Sequence, residues 1–375
     1  MPSHFASGTH SRHRFARHAT HAIPKARTPS NTPRLSTLIR KGNAASNIAA
    51  NTYKGTGQAA RSDRIPAFYR TGLHCHRAGP ACYARRMSAV PRPRASTPFS
   101  LTVGLVVYKP DLEWLKRTSK SLCTAIQHAG AVGVLDTNGS TIVLVNNGEA
   151  ADQSGVEAIL RSECFAICPE VGIQMLSGQG NIGYGRANNL AFASARGSDI
   201  VLVLNPDVEI SKDALAVGLS FLAREPACVM VTPVAISPEK TPQYLVKNYP
   251  SVFVLAVRGF APAALRAALQ RRLDEYDRAD RPFDSPLMDA RIVSGCFMLI
   301  RRAAFEGVNG FDERFFLYFE DFDLSLRLSS LGAIARLPDC RIVHAGGNAS
   351  GKGVRHVGLF VRSALRFFNK HGWRW

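Results

Sequence analysis

The chain has 375 residues, 46% of them apolar, and a formal net charge of +19. That length and apolar content allow one large or two modest domains with a buried core. The charge invites a nucleic-acid reading, yet residues 1–100 carry 17 Lys and Arg against one acid, Asp63, while 101–375 carry 30 against 27. The basicity therefore belongs to a tail, and no nucleic-acid partner is expected of the rest.

Residues 1–98 are rich in Pro, Ser, Thr, Arg and His without apolar periodicity, so a disordered basic tail is expected there. The stretch is superficially like an organelle transit peptide, but Met87 as the true start is the simpler reading. His74-Cys75-His76 followed by Cys82 reads as a chance grouping in that tail. The eight cysteines include no CxxC pair, which suggests reduced thiols and a cytoplasmic site. No window of about 18 consecutive apolar residues predicts a membrane span.

Order is expected from Leu101. Leu101–Val107 is an apolar strand ending in the turn Tyr108-Lys109-Pro110. Asp111 can cap a helix to about Ala129 with Leu112, Leu115, Leu122 and Ile126 inward. A strand over Thr141–Val145 is closed by Asn146-Asn147-Gly148. A short helix fits Gly155–Arg161, a strand Gly172–Leu176 and a helix Tyr184–Arg196. Ile200–Leu204 is a buried strand stopped by Asn205-Pro206-Asp207. Ser211 is expected to cap a helix to about Ala223, and Val229–Val234 is another strand. Strands alternating with helices predict an α/β domain over 99–375: a mostly parallel sheet with helices on both faces. Residues 236–290 interrupt the pattern as an insertion, with an apolar run Val252–Val257 and a basic helical stretch Ala263–Arg278. Arg291–Ile300 (strand), Glu320–Leu331 (helix), Ile334–His344 (strand) and His356–Lys370 (helix) follow.

Ligands of open α/β sheets bind at the carboxyl ends of strands, so polar residues ending apolar strands are the candidates. Asp207 follows five apolar residues and suits a divalent cation, since Mg²⁺ prefers one or two carboxylates plus diphosphate oxygens. Glu320, Asp321 and Asp323 follow a dense aromatic run. Crowding and desolvation raise carboxylate pKa values and make better general bases; helix capping explains one or two of the three. His344 ends a strand before a Gly-rich loop with Lys352 and Arg355, which can fold over a diphosphate. Gly178-Gln-Gly180-Asn-Ile-Gly183 matches GxGxxG and raises an alternative, an NAD-type dinucleotide-binding oxidoreductase. A glycine loop pressed against a nucleoside diphosphate at a helix N-terminus fits it equally well.

In order along the chain, Val106-Val-Tyr108, Val145-Asn-Asn-Gly148, Gly180–Asn189, Leu204-Asn-Pro-Asp207, Ser294–Arg302, Gly310–Asp323 and His344 resemble family 2 glycosyltransferases of the GT-A (Rossmann-like) fold, more narrowly their bacterial rhamnosyltransferase-like members in polysaccharide or O-antigen assembly. The resemblance covers about 101–375. It implies an inverting transfer of a sugar, rhamnose among the candidates, from a dTDP- or UDP-linked donor to a glycan or polyprenyl-linked acceptor, with Mg²⁺ or Mn²⁺. By position it implies Tyr108 and Asn146 at the nucleobase, Asn181, Gly183 and Asn189 shaping the donor site, and Arg186 meeting a phosphate. Asp207 and His344 would hold metal, Asp321 beside Glu320 would be the base, and Gly295 would flank the acceptor. The family often has Asp where this chain has Asn146, and Asn205 replaces the first acid of its DxD metal motif. The basic amphipathic stretch Ala263–Leu273 suits either a solvated surface or a peripheral contact at the inner face of a membrane.

Overall fold

The computed structural model describes residues 97–149, 153–346 and 354–375. The basic tail up to residue 96, the alternative start Met87, the His74–Cys82 grouping and Lys352 lie outside the described residues.

Alternating strands and helices form as expected. β1 (Leu101–Val107), β2 (Thr141–Asn146), β3 (Gly172–Leu176) and β4 (Ile200–Leu204) pair in parallel in the order β3-β2-β1-β4. β10 (Phe297–Arg301) runs antiparallel between β4 and β6 (Cys228–Ile236), and β11 (Ala333–His344) lies parallel to β6 on its far side. β5 (Val208–Ile210) and β7 (Pro242–Gln243) pair antiparallel with β11 and β6. The sheet is therefore mixed but dominated by one strand direction, which gathers the ends of β1, β2, β4, β6 and β11 at one rim.

Both faces are covered, which is why the strands are continuous apolar runs. On one face, Leu101, Leu105 and Leu204 pack with Leu115, Leu122 and Ile126 of α1 (Leu112–Ala131), Leu160 of α2 (Gln153–Ile167) and Leu219 of α4 (Ala214–Arg224). On the other, Val201 and Val203 meet α3 (Tyr184–Ser194) through Phe192, α8 (Arg302–Gly307) through Phe305 and α9 (Glu320–Leu328) through Leu324. Gly104 admits this closeness, since a Cβ there would lie 2.8 Å from Asn188 Oδ1. The six described cysteines are buried, unpaired thiols.

Local differences have local causes. Asp111 caps α1 by accepting from Glu113 and Trp114 N–H at 2.9 and 3.2 Å. Leu112, expected inward, is exposed because the helix starts there and its first turn overhangs the sheet. Ser211 does not cap α4 with its side chain; its carbonyl accepts from Ala214 N–H. The expected strand Arg291–Ile300 splits into β9 (Ile292–Val293) and β10, and the basic stretch of the insertion splits into α6 (Ala263–Ala268) and α7 (Gln270–Asp277). β8 (Val246–Lys247) pairs with β9 apart from the main sheet. Val252–Phe260 is a helix, α5, and the last helix, α10, spans Val354–His371. Tyr249, Val252 and Leu255 join Phe319, Phe360 and Phe367 in one aromatic cluster shared by α5, α9 and α10. Among the described residues no helix is long and apolar enough to cross a membrane.

Candidate active site

The strand-end residues converge on the one rim. Asp207 lies just past β4, and Thr118 of α1 fixes that turn: its hydroxyl donates to Pro206 O (2.8 Å) and accepts Val208 N–H (3.1 Å). β11 pairs with β5 there, His344 opposite Val208, so His344 Nε2 comes 3.6 Å from Asp207 Oδ1. His344 Nδ1 lies 2.9 Å from Gln243 Oε1, and Gln243 Nε2 donates to His344 O at 2.9 Å. With Nδ1 protonated and donating to Gln243, Nε2 keeps its lone pair on the Asp207 side. Asp207 Oδ1 is buried without a hydrogen-bond partner, an arrangement proteins tolerate where a ligand supplies the partner. The backbone closes over the pair at Gly346, where a Cβ would fall 2.4 Å from Asp207 Oδ2 and 2.9 Å from His344 Nε2. One carboxylate, with an orphaned oxygen, and one imidazole nitrogen fit a divalent cation.

A short bridge leads to the second acid. Tyr184 OH lies 2.8 Å from Asn205 Oδ1 and 2.9 Å from the Gly295 carbonyl, two acceptors for one proton. Gly295 N–H donates to Asp321 Oδ2 (2.9 Å) and Phe322 N–H to Oδ1 (2.9 Å). Gly295 packs close to the acid: a Cβ there would sit 3.1 Å from Asp321 Cβ. Burial pushes the Cys296 thiol up to about 12, and the charges of both Asp207 and Asp321 add to that rise. Both acids therefore act on one neighbourhood.

Burial drives the Asp321 carboxyl up to about 6 against the two backbone donors that favour its charge. Glu320, with one carboxylate oxygen buried and unpartnered, is pushed well above the usual range by burial and then by Asp321. Burial and their mutual repulsion disfavour ionising both acids at once, most strongly at Glu320, while the backbone donors favour the charged form of Asp321. Asp323 is removed from the chemistry. It is fully buried and paired with Arg327 (2.7 Å), Lys370 (2.6 Å) and His371 (2.7 Å), and so ties α9 to α10. The aromatic run before these acids likewise packs on α10. Tyr318 and Phe319 have φ of 70° and 64°, a strained pair for bulky residues. They are held by Tyr318 OH to His356 Nδ1 (2.9 Å) and by Phe319 ring contacts to Phe360 and Phe367 at 5.1 and 5.3 Å.

Toward β1, Tyr108 stands 51% exposed at the strand end, free to stack on a planar ligand. Asn146 Oδ1 accepts Gly148 N–H (2.8 Å) and its Nδ2 donates to Glu149 O (3.3 Å), closing a turn. Asn181 Oδ1 accepts Gly183 N–H (3.1 Å) and Phe316 O accepts Tyr184 N–H (3.1 Å), so the first donors at the start of α3 are already used. Gly183 (φ 89°) has Phe316 O only 2.5 Å from where a Cβ would be, while Gly178 (φ 89°) has nothing within 4 Å. Gly183→Ala should therefore lower unfolding stability by at least ~2 kcal/mol, and Gly178→Ala by nearer ~1 kcal/mol; equal denaturation midpoints for the two variants would contradict this. The loop follows β3, the edge strand. A dinucleotide fingerprint belongs on a central strand at a switch point, so the oxidoreductase alternative is set aside.

Asn189 and Arg186 turn toward the loop after α8. Asn189 brackets Phe311, donating to its carbonyl and accepting its N–H, both at 2.9 Å. Arg186 pairs with Glu313 at 2.9 Å, so its expected phosphate contact has a carboxylate in its place. Arg355 is exposed at the start of α10. Sequence reasoning gave no role to Gln243, Thr118 or Tyr184. Gln243 sits in a Pro-containing stretch without pattern, whereas Tyr184 lay inside a quoted motif.

Residues 102–308 match the profile described as Glycosyl transferase family 2. The chain is 28% identical over 294 residues to N-acetylglucosaminyl-diphospho-decaprenol L-rhamnosyltransferase of Mycobacterium tuberculosis, covering 73% of this chain and 86% of that protein. It is 28% identical over 172 residues to rhamnosyltransferase WbbL of Escherichia coli K12, covering 43% and 59%. Among solved structures it resembles GalNAc-T7 with UDP, GalNAc and Mn²⁺ (TM-score 0.49, 13% identity, 72% of this chain and 48% of that one). It also resembles the mannosyltransferase PcManGT of Pyrobaculum calidifontis with GDP-Man and Mn²⁺ (0.46, 16%, 76% and 72%).

Proposed function

The chain belongs to glycosyl transferase family 2, and from that premise we propose that it transfers a sugar, rhamnose in the first instance, from a dTDP- or UDP-linked donor to a hydroxyl of a polyprenyl-linked or glycan acceptor in cell-surface polysaccharide assembly. The observation that carries this reading is the continuous rim from His344 and Asp207 through Asn205, Tyr184 and Gly295 to Asp321. The two rhamnosyltransferase relatives support the choice of sugar, and the decaprenol-linked relative supports the acceptor class.

The reaction is a single in-line displacement. The acceptor oxygen forms a bond to the anomeric carbon as the bond to the diphosphate oxygen breaks, and the configuration inverts. Asp321 takes the acceptor proton, its orientation fixed by Gly295 and Phe322 N–H. Burial holds the Asp321 pKa near the working range, and Glu320 lies beside it in an environment that favours its neutral form. Asp207 and His344 would hold Mg²⁺ or Mn²⁺, and such an ion would supply positive charge to stabilise the leaving diphosphate. Tyr108 stacks on the nucleobase, and Lys352 and Arg355 assist at the diphosphate. We assign the reaction to the cytoplasmic face of a membrane; unpaired buried thiols support a reducing compartment.

The test is nucleoside diphosphate release from dTDP-rhamnose and UDP-sugars, with Mn²⁺ and a polyprenyl-linked acceptor. One donor should turn over only with both present. Because the base must be ionised, the rate should fall about tenfold per pH unit below the Asp321 value of about 6. No turnover of any donor would overturn the reading, and a rate flat from neutral to well below that value would remove the base.

A further inference from the structure

Two segments that expose apolar side chains are basic and hold no acid of their own, although Arg258, Arg271 and Lys370 pair with Asp277, Glu275 and Asp312 from neighbouring segments. From Arg355 to Trp375 the chain has five Lys and Arg and no Asp or Glu, and 251–272 has four Arg and no acid. α10 buries Phe360, Phe367 and Phe368 against the aromatic cluster. On its outer side Val357, Val361 and Leu365, at i, i+4 and i+8, are 37%, 44% and 47% exposed. The line continues past the helix. Trp373 Nε1 donates to Asn369 (3.0 Å), and Trp373 stacks on Trp375, which is 84% exposed. α5 adjoins it, since Val252 N–H donates to Arg374 O at 2.8 Å. α5 turns Phe253 and Phe260 outward, 41% and 67% exposed, with the Arg272 guanidinium 5.3 Å from the Phe253 ring. Arg266, Arg272 and Arg362 have no carboxylate partner among the described residues.

We propose that the outer side of α10, its Trp373–Trp375 tail and the α5–α6 segment form a peripheral binding face for an anionic phospholipid surface. An apolar stripe with exposed tryptophans, flanked by Arg266, Arg272 and Arg362, is complementary to a negatively charged bilayer, with aromatic rings at headgroup level and arginine stems laid along the acyl boundary. The proposal deepens the transferase reading and rests on it for its purpose: α10, whose outer side forms the face, packs its inner side on Phe319, the residue before Glu320 and Asp321. A lipid-linked hydroxyl would then reach Asp321 without leaving its membrane.

The test uses the full chain and vesicles of phosphatidylcholine with or without phosphatidylglycerol, some carrying brominated acyl chains. Trp114, Trp373 and Trp375 are the only tryptophans. Brominated anionic vesicles should quench emission, and Trp373→Phe with Trp375→Phe should abolish the quenched component. Val361→Glu with Leu365→Glu should lower vesicle affinity at least ~10-fold, with the thermal transition unchanged because both positions are exposed. Binding without quenching places the contact elsewhere, in the basic tail for example, and overturns the proposal. So does a dimer in light scattering that the glutamate variant splits, with no quenching in the wild type. Turnover of a water-soluble acceptor is read separately: its absence in wild type and variants alike counts against the transferase reading and leaves the quenching result standing.

Discussion

Asp321→Asn should bind donor as the wild type does and lose turnover by about 10²–10⁴-fold, the usual contribution of a positioned general base. The substitution is close to isosteric, but Gly295 and Phe322 N–H donate to separate oxygens of Asp321, so the amide oxygen can keep only one of them and its NH2 meets the other. What disappears is the proton acceptor. The stability of the same variant should also stop responding to pH where the wild type's does. Burial raises the Asp321 pKa to about 6, so between the unfolded carboxyl value of about 4 and that folded value the native state binds more protons than the unfolded one. The stability this group contributes is fully present below that window and is lost as pH rises through it. Asn has no charge to bury and loses nothing there. Glu320→Gln is the control. It preserves the neutral form that burial favours at Glu320, so its effect on turnover should be far smaller. Equal losses in both variants, or wild-type turnover in Asp321→Asn, would remove Asp321 as the base.

This pairing of lost activity with a lost pH dependence of stability separates a base from a merely structural acid. Asp323 supplies the contrast on the same helix. It is paired with Arg327, Lys370 and His371; removing it strands buried cations and should destabilise.

The strands of the parallel half were legible because two covered faces demand unbroken apolar runs, and Leu101–Val107 and Ile200–Leu204 are such runs. Their polar ends were legible for the same reason: nothing in an apolar strand accounts for Asp207 or His344. The insertion was not legible. Val252–Val257 has the β-branched composition of a strand, yet it forms α5 because its apolar side docks on Phe367 and Phe368, a contact made across more than 100 residues of sequence. Asn146 and Asn189 have structural partners that no sequence pattern announces. Polar residues near strand and helix ends look like ligand contacts in a sequence, and here their amides close a turn and bracket Phe311. Gln243 escaped because its two jobs, holding the His344 ring and the His344 carbonyl, exist only once β7 pairs with β6 beside β11. The aromatic run before Glu320 pointed to the right place for a partly wrong reason: it is a clamp for a strained turn more than a wall around the acids.

Asp207→Ala should abolish metal-dependent donor binding and reduce kcat/KM by at least ~10²-fold, the equivalent of ~3 kcal/mol of charge stabilisation on the leaving diphosphate. The argument lies in what surrounds the carboxylate. A buried Oδ1 with no hydrogen-bond partner is expensive to keep, and the Gly346 backbone, which no side chain can replace, closes over the same atoms. His344→Ala should weaken binding in the same direction, and the double variant should lose little more than Asp207→Ala alone, because both residues serve one ion. Gln243→Ala tests the imidazole's orientation. It removes the Nδ1 acceptor, leaves both ligands in the chain and should cost about 10–100-fold in metal affinity. Calorimetry of donor binding with and without Mn²⁺ reads all four variants. Donor affinity that responds to Mn²⁺ in Asp207→Ala as it does in the wild type would take the carboxylate out of the site; a response to Mn²⁺ lost there and only weakened in Gln243→Ala would give the order that this geometry requires.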